Sequence, residues 1–511
     1  MNVQKHKVLG FIAGPTAFAV ILSSPLPDGM TAEGQRVGAV AVLMAIWWIS
    51  EAIAIPATAL LPLALMPLLG VASPKDMAGA YGDPTVFLFA GGFFMAAAMQ
   101  KWNLHERIAL NILSRTGTNP AALVGGFMIA TALLSMWISN TATAVMMAPI
   151  GIAVIQSFRS NDRPERVAAF ATAIMLGIAY AASIGGMATL VGTPPNLIFV
   201  GQLRNLYPQA PVPTFGQWIL IGLPLLALML PLTWAVLVFV VHRMPAASDR
   251  SQTAAAIAAK RNQLGPIGRG EMVVLCVVSC AALAWIFRAD LDMGFVIVPG
   301  WSRLLPNPAL VDDSTVAMLF AALLFVLPIH PRKGEFALDW ETARTIPWGV
   351  LMLFGGGLAI AKGFAESGLV SWMGERLSVL GGLPPLAMIL AVCVLLTFVT
   401  EVTSNTATTS IMLPILAAAA ASSLQVHPFT LMIPATLSAS CAFMLPVATP
   451  PNALVFGSGY VSVPQMARAG FLLNWIGVAV IGSLTYFLVP WVFNLDLGTV
   501  PDWANVPSAA H

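Results

Sequence analysis

The sequence predicts an all-α polytopic membrane protein of about eleven transmembrane helices plus two re-entrant hairpins, arranged as two inverted repeats. Three observations predict it. Hydrophobic residues make up 58% of the 511 and charged residues only 9%, against about 25% charged in a soluble domain. Mean hydropathy is +0.84, and apolar runs near helix-spanning length recur from end to end. The pentapeptide Ser-Asn-Thr-Ala-Thr occurs twice, at Ser139–Thr143 and Ser404–Thr408, and each copy is followed by Thr-Pro-Pro-Asn, at Thr193–Asn196 and Thr449–Asn452.

The first predicted spans are 8–24, 37–50, 53–70 and 85–101. The run after the basic Met1–Lys7 has no clear small-residue cleavage site, so it reads as a retained helix rather than a leader. Segments 120–138 and 141–158 are each short for a crossing and hinge at the first Ser-Asn-Thr, so together they read as a re-entrant hairpin. A span over 168–202 is broken at Gly192–Asn196, because tandem prolines remove N–H donors and clash with the preceding turn. Spans at 217–242, 271–288, 314–329 and 348–362 follow. Then come a second hairpin, 383–402 and 405–422, a broken span at 429–457, and a last span at 468–492.

The two halves align in order. Ser139 and Ser404 lie 265 residues apart, and so do Phe89 and Phe354, which open Phe-Ala-Gly-Gly and Phe-Gly-Gly-Gly. Met147 and Met412 keep the same offset, whereas Thr193 and Thr449 lie 256 apart. The chain therefore reads as one transporter unit over 1–511. A first repeat spans 37–242 with its hairpin at about 120–158, and a linker spans 243–270. A second repeat spans 271–492 with its hairpin at about 383–422. With the N-terminus inside and both hairpins returning to their side of entry, seventeen basic residues fall on the cytoplasmic side and seven outside, as the positive-inside rule requires. The C-terminus is then outside, and an odd number of crossings between equivalent points inverts the repeats. The linker reads as a solvated connector.

Other chemistries are poorly served. Net charge is +2 with basic residues in short loops, which gives no footprint for nucleic acid. Cys276, Cys280, Cys393 and Cys441 sit in apolar runs without metal spacing and read as inert packing residues. Six scattered histidines form no metal pattern, and every Asp falls in a loop or terminus. An intramembrane enzyme would need a nucleophile–base pair or metal ligands at depth.

A polar Ser-Asn-Thr at a hairpin tip ends one half-helix and begins another. The exposed N–H groups and partial positive charge of a helix start suit a carboxylate, and the oxygens suit a small cation. Two such tips near the midplane could grip both ends of a dianion. No Lys or Arg lies near either tip, so the anion's charge would need co-bound cations. Glu401 is the one acidic residue within a predicted span near a tip, and the first repeat has Met136 in its place. It reads either as a functional carboxylate or as a hydrogen-bonding brace for the hairpin. Glu51 reads as a structural or interfacial residue.

With these motifs the chain resembles the divalent anion/sodium symporter family of dicarboxylate, citrate and sulfate carriers. The resemblance rests on Trp48-Ile49-Ser50-Glu51-Ala52, Ala59-Leu60-Leu61-Pro62, Phe89–Gly92, both Ser-Asn-Thr tips and both Thr-Pro-Pro-Asn loops. It implies a homodimer in a bacterial inner membrane, working as an elevator-type transporter, with co-transported sodium ions and no organic cofactor. It implies sodium at Ser135, Ser139, Asn140 and Gly192, and at Thr400, Thr403, Asn405 and Ala448. Substrate carboxylates would meet Ser139, Asn140, Thr141, Thr193 and Pro194, and Ser404, Asn405, Thr406, Thr449 and Pro450. The function expected is sodium-coupled symport of C4-dicarboxylates such as succinate, malate and fumarate. A dicarboxylate exchanger, a citrate or sulfate carrier on the same scaffold, and a cation/proton antiporter relying on Glu401 are the rivals.

Overall fold

The structure is a computed structural model. It describes residues 2–117, 119–159, 164–241, 251–294, 296–369, 372–373 and 382–504. In chain order the first helices are α1 (Asn2–Ser23), α2 (Ala32–Ser50), α3 (Ile55–Thr58), α4 (Leu61–Leu68), α5 (Pro74–Tyr81), α6 (Pro84–Lys101) and α7 (Leu104–Leu113). There follow α8 (Pro120–Ser135), α9 (Asn140–Arg159), α10 (Pro164–Met187), α11 (Pro194–Leu206), α12 (Phe215–Ala235), α13 (Ser251–Gln263) and α14 (Arg269–Ile286). The remainder are α15 (Asp313–Val326), α16 (Trp340–Ala343), α17 (Trp348–Glu366), α18 (Pro385–Val399), α19 (Asn405–Ala418), α20 (Phe429–Ser438), α21 (Pro450–Gly457) and α22 (Val463–Phe493).

Eight of the described helical stretches are long and apolar enough to cross a bilayer, and six more are apolar but shorter. Two short antiparallel strand pairs, Leu291–Asp292 with Ile297–Val298 and Pro328–His330 with Glu335–Phe336, decorate the loops. The predicted span 53–70 is not one helix. Pro56 and Pro62 restart it as α3 and α4, since each proline suits a first turn and not a helix interior. Elsewhere the helices sit within a few residues of the expected spans, and both broken spans are broken where Thr-Pro-Pro-Asn stands, with Thr193 and Thr449 as N-caps of the second pieces.

The two repeats interlock. The first arm of each hairpin packs along the first piece of its own broken span, α8 on α10 and α18 on α20. The second pieces cross over: α11 packs on α19 of the other hairpin, and α21 packs on α9 and α10. Phe89 and Phe354, equivalent residues of the two repeats, meet with ring centroids 6.2 Å apart. Contact between equivalent residues is what a two-fold relation through the core produces. Close approach elsewhere depends on glycine. A Cβ on Gly91 of α6 would lie 2.8 Å from the Ala317 backbone of α15, and one on Gly222 of α12 would lie 2.2 Å from the Ala188 carbonyl.

Charged residues gather at helix ends. Arg107 of α7 pairs with Glu271 of α14 at 2.6 Å and donates to the carbonyls of Leu264, Gly265 and Pro266. The linker, expected as a solvated connector, is held at its C-terminal end by these bonds. Residues 243–250 lie outside the described residues, but α13 packs on α7 and α9 with Ile257 buried. At the opposite ends of their helices, Arg204 of α11 meets Asp312 at 3.4 Å and Arg288 pairs with Asp313 of α15. Cys393 and Cys441 pack in the interior, whereas Cys276 and Cys280 stand on an exposed face of α14. Glu51 ends α2 in a left-handed conformation and pairs with Lys7 at 3.5 Å, an exposed contact of little energetic weight.

Candidate functional site

Each hairpin tip is a helix start at a break between two apolar arms. Asn140 begins α9 and Asn405 begins α19. Ser139 Oγ accepts the Ala142 N–H at 3.3 Å, the ordinary N-cap bond, while the Ser404 side chain makes no cap bond. The helical pieces place N–H groups and their partial positive charge at the tips.

Behind each tip a hydroxyl, an asparagine oxygen and a carbonyl converge in the same way. In the first repeat Ser135 Oγ lies 2.8 Å from Asn140 Oδ1 and 2.7 Å from Ala182 O. In the second, Thr400 Oγ1 lies 2.7 Å from Asn405 Oδ1 and 2.8 Å from Ala439 O. A hydroxyl has one proton, so it can donate to one of its two oxygen neighbours only. The other contact leaves lone pairs facing at hydrogen-bond distance, an arrangement that a bound cation would relieve. Gly186 adds to the first cluster. A Cβ there would lie 2.3 Å from Asn140 Oδ1 and 3.1 Å from Gly192 O, so both oxygens approach the space that the missing side chain leaves.

The loops that break the long spans form the other wall. Gly192 N–H reaches Thr189 Oγ1 at 3.1 Å, and the Thr189 hydroxyl donates to Met136 O at the first tip. Thr193 is buried without a side-chain cap bond, whereas Thr449 Oγ1 accepts the Asn452 N–H at 3.3 Å. Ala448 is buried beside it. The Thr403 hydroxyl donates to Val399 O at 2.8 Å and lies at hydrogen-bond distance from the Thr408 hydroxyl. Thr406 is buried, while Thr141 and Pro450 are exposed and Pro194 is half-buried. Exposed Val402 and Val447, which sequence reasoning did not single out, flank the second tip and its loop in the chain as apolar neighbours.

Glu401 is a brace. Its carboxylate accepts the backbone N–H groups of Phe443, Met444 and Leu445 at 2.7 to 3.1 Å and the Asn474 side chain at 2.8 Å. Three successive amides on one carboxylate form an anion nest filled by the protein itself. Across the repeats, Tyr180 of α10 donates to Phe443 O at 2.8 Å and Gln202 of α11 donates to Ser410 O at 2.8 Å. These bonds and the crossed packing of α11 and α21 bring the two half-sites into one interlocked body. No group of three or more His, Cys, Asp or Glu that could hold a metal exists among the described residues.

Two polar tips, each backed by an unwound loop of its own repeat, are the arrangement in which broken-helix transporters bind their cargo. The comparisons agree. The model of the sodium:sulfate symporter transmembrane region matches residues 5–495, and the chain belongs to that family, the divalent anion/sodium symporters. The sodium-dependent dicarboxylate transporter SdcS of Staphylococcus saprophyticus is 41% identical over 501 residues, covering 96% of this chain and 93% of the relative. SdcS of Staphylococcus aureus (strain bovine RF122) is 40% identical over the same shares. Among solved structures, the Alcanivorax borkumensis YdaH transporter aligns with a TM-score of 0.56 at 15% identity, covering 81% of this chain and 87% of that one. Neisseria gonorrhoeae MtrF aligns with a TM-score of 0.55 at 14% identity, covering 97% and 95%. At such identities the structural likeness shows the fold alone. The chain is thus an integral membrane transporter.

Proposed function

We propose that this chain imports C4-dicarboxylates, succinate, malate and fumarate among them, together with sodium ions. The observation that carries the reading is the cluster of hydroxyl, asparagine and carbonyl oxygens found twice, once behind each tip. Such all-oxygen clusters suit a small hard cation. In the first site sodium would be held by Ser135, Ser139, Asn140 and Gly192, and in the second by Thr400, Thr403, Asn405 and Ala448. The helix starts at Ser139-Asn140-Thr141 and Ser404-Asn405-Thr406, with Thr193, Pro194, Thr449 and Pro450, would hold the two carboxylates. Two bound cations offset the dianion at tips that no Lys or Arg adjoins in the sequence, and a further one makes transport electrogenic.

The repeats are inverted in a bacterial plasma membrane, with the N-terminus cytoplasmic and the C-terminus outside. The protein is a homodimer whose interlocked site-bearing body moves as an elevator. This reading takes support from the positive-inside count and from SdcS, whose name gives both the ion and the substrate class.

The test is uptake of labelled succinate into proteoliposomes under an inward sodium gradient, with choline replacement and with Asn140→Ala and Asn405→Ala. Sodium-dependent uptake lost in both variants supports the proposal. Uptake that ignores sodium and needs succinate inside would make the protein an exchanger. Uptake of citrate or sulfate in place of succinate would move the substrate.

A further inference from the structure

The last residue of each Thr-Pro-Pro-Asn motif makes the same bonds in both repeats. Asn196 Nδ2 donates to Thr189 O at 2.7 Å and Gly186 O at 3.3 Å, with Met187 O also at 3.3 Å. Asn452 Nδ2 donates to Leu445 O at 3.0 Å and Ala442 O at 2.9 Å. The equivalences run at a constant offset of 256 residues: 186 with 442, 189 with 445, 196 with 452. Both side chains are fully buried, and in both the Oδ1 atom has no hydrogen-bond partner. The donor half is the bonded half at both positions, and in both repeats it is tied to equivalent carbonyls of the break.

The carbonyls it holds belong to the breaks. An interrupted helix frees carbonyls that no bulk water can satisfy at membrane depth. Asn196 ties back the end of α10 at Gly186, whose bare Cα forms the space between Asn140 Oδ1 and Gly192 O. Asn452 ties the loop whose neighbouring amides, Phe443 to Leu445, are held by Glu401.

We infer that Asn196 and Asn452 are positioning residues for the two cation sites: their side-chain amides fix the unwound loops so that Gly192 and Ala448 present their carbonyls at the right place. They touch neither substrate nor ion. The inference rests on the proposed sodium coupling, and wild-type uptake with and without sodium tests that coupling separately.

The experiment measures, in proteoliposomes, the sodium half-saturation of succinate uptake and the succinate KM at saturating sodium. It compares wild type with Asn196→Asp, Asn196→Leu and the same pair at Asn452. Aspartate keeps the oxygen and the size but removes the amide donor; leucine removes both. Second-layer partners of ion ligands are typically worth ten- to a hundred-fold in affinity, so sodium half-saturation should rise about tenfold or more in all four variants while the succinate KM at saturating sodium stays within about twofold. Aspartate variants that keep wild-type sodium affinity while leucine variants lose it would overturn the inference and make Oδ1 itself a ligand. Equal loss of sodium and succinate affinity would overturn it in favour of a general structural role. Where leucine is not tolerated, Asn196→Ser and Asn452→Ser retain a shorter donor. Each should give a smaller rise than its aspartate counterpart, and a rise as large or larger would count against the donor role.

Discussion

Glu401 and Asn474 lie 73 residues apart in sequence and are joined by a 2.8 Å bond between Asn474 Nδ2 and Glu401 Oε1, both side chains buried. The bond fastens the last long helix to the carboxylate that also holds the amides of residues 443–445. One side chain thus links the second hairpin tip, the second unwound loop and α22.

Glu401→Gln keeps the shape and loses the charge. Its amide nitrogen turns toward amide donors, so at least one buried N–H loses an acceptor. Hydrogen bonds to charged groups are worth about 1.5–3 kcal/mol each, and the variant should lose stability of that order. Thermal unfolding in detergent checks it. Uptake by the folded variant should keep its sodium dependence, because Glu401 is committed to bracing. Loss of proton coupling in place of sodium coupling would mark an antiporter instead.

Gly186→Ala tests the first cation site alone. The added methyl would stand 2.3 Å from Asn140 Oδ1, inside any permissible contact, and 3.1 Å from Gly192 O. The oxygens must spread, so sodium-dependent uptake should fall at least about a hundred-fold while the protein still elutes as a single folded species. Near-normal uptake in Gly186→Ala would remove the first cluster from the mechanism.

Much of this was legible before any coordinates. The broken helices follow from Pro194-Pro195 and Pro450-Pro451, whose chemistry is local, and the pairing of tips with breaks follows from the repeat. What the sequence hid is non-local. Nothing near Glu401 in the chain shows that it faces residues 443–445, because the partners are backbone N–H groups, which every residue but proline carries. Asn196 and Asn452 stand in a motif whose prolines alone account for a broken helix, and their bonds form only where folding brings the carbonyls at Gly186 and Ala442 within reach. The division of 53–70 into α3 and α4 was foreseeable from Pro56 and Pro62, but hydropathy alone cannot separate a broken apolar run from a continuous one.

His427 gives a pH dependence outside the spans. It lies in the turn before α20, buried against Phe429 and Trp503, and its Nδ1 accepts the Phe429 N–H at 3.1 Å. Burial pushes its pKa from 6.5 down to about 4. The folded protein keeps the ring neutral while the unfolded chain takes up a proton below 6.5, so stability falls as pH drops from about 6.5 toward 4. His427→Phe should flatten that part of the stability curve, read from unfolding temperature against pH. An unchanged slope would place the acid sensitivity elsewhere.

The paired hydroxyls make the sharpest comparison. Ser135 and Thr400 occupy equivalent positions, and each touches an equivalent asparagine oxygen and a backbone carbonyl at the end of the neighbouring half-helix. Ser135→Ala and Thr400→Val remove the hydroxyl with little change in volume, leaving Asn140 and Asn405 in place. If each hydroxyl completes a cation site, each variant should raise the sodium half-saturation of uptake by about ten- to a hundred-fold. The double variant should lose roughly the product of the two, since distant sites add in free energy. A hydroxyl that served only to tie the tip to Ala182 or Ala439 would instead lower thermal stability by about 1 kcal/mol and leave sodium affinity alone. Sodium titration of uptake alongside sodium-dependent thermal shifts separates the two. The sign of the result at Ser135 and Thr400 together decides whether both repeats bind cations or only one does.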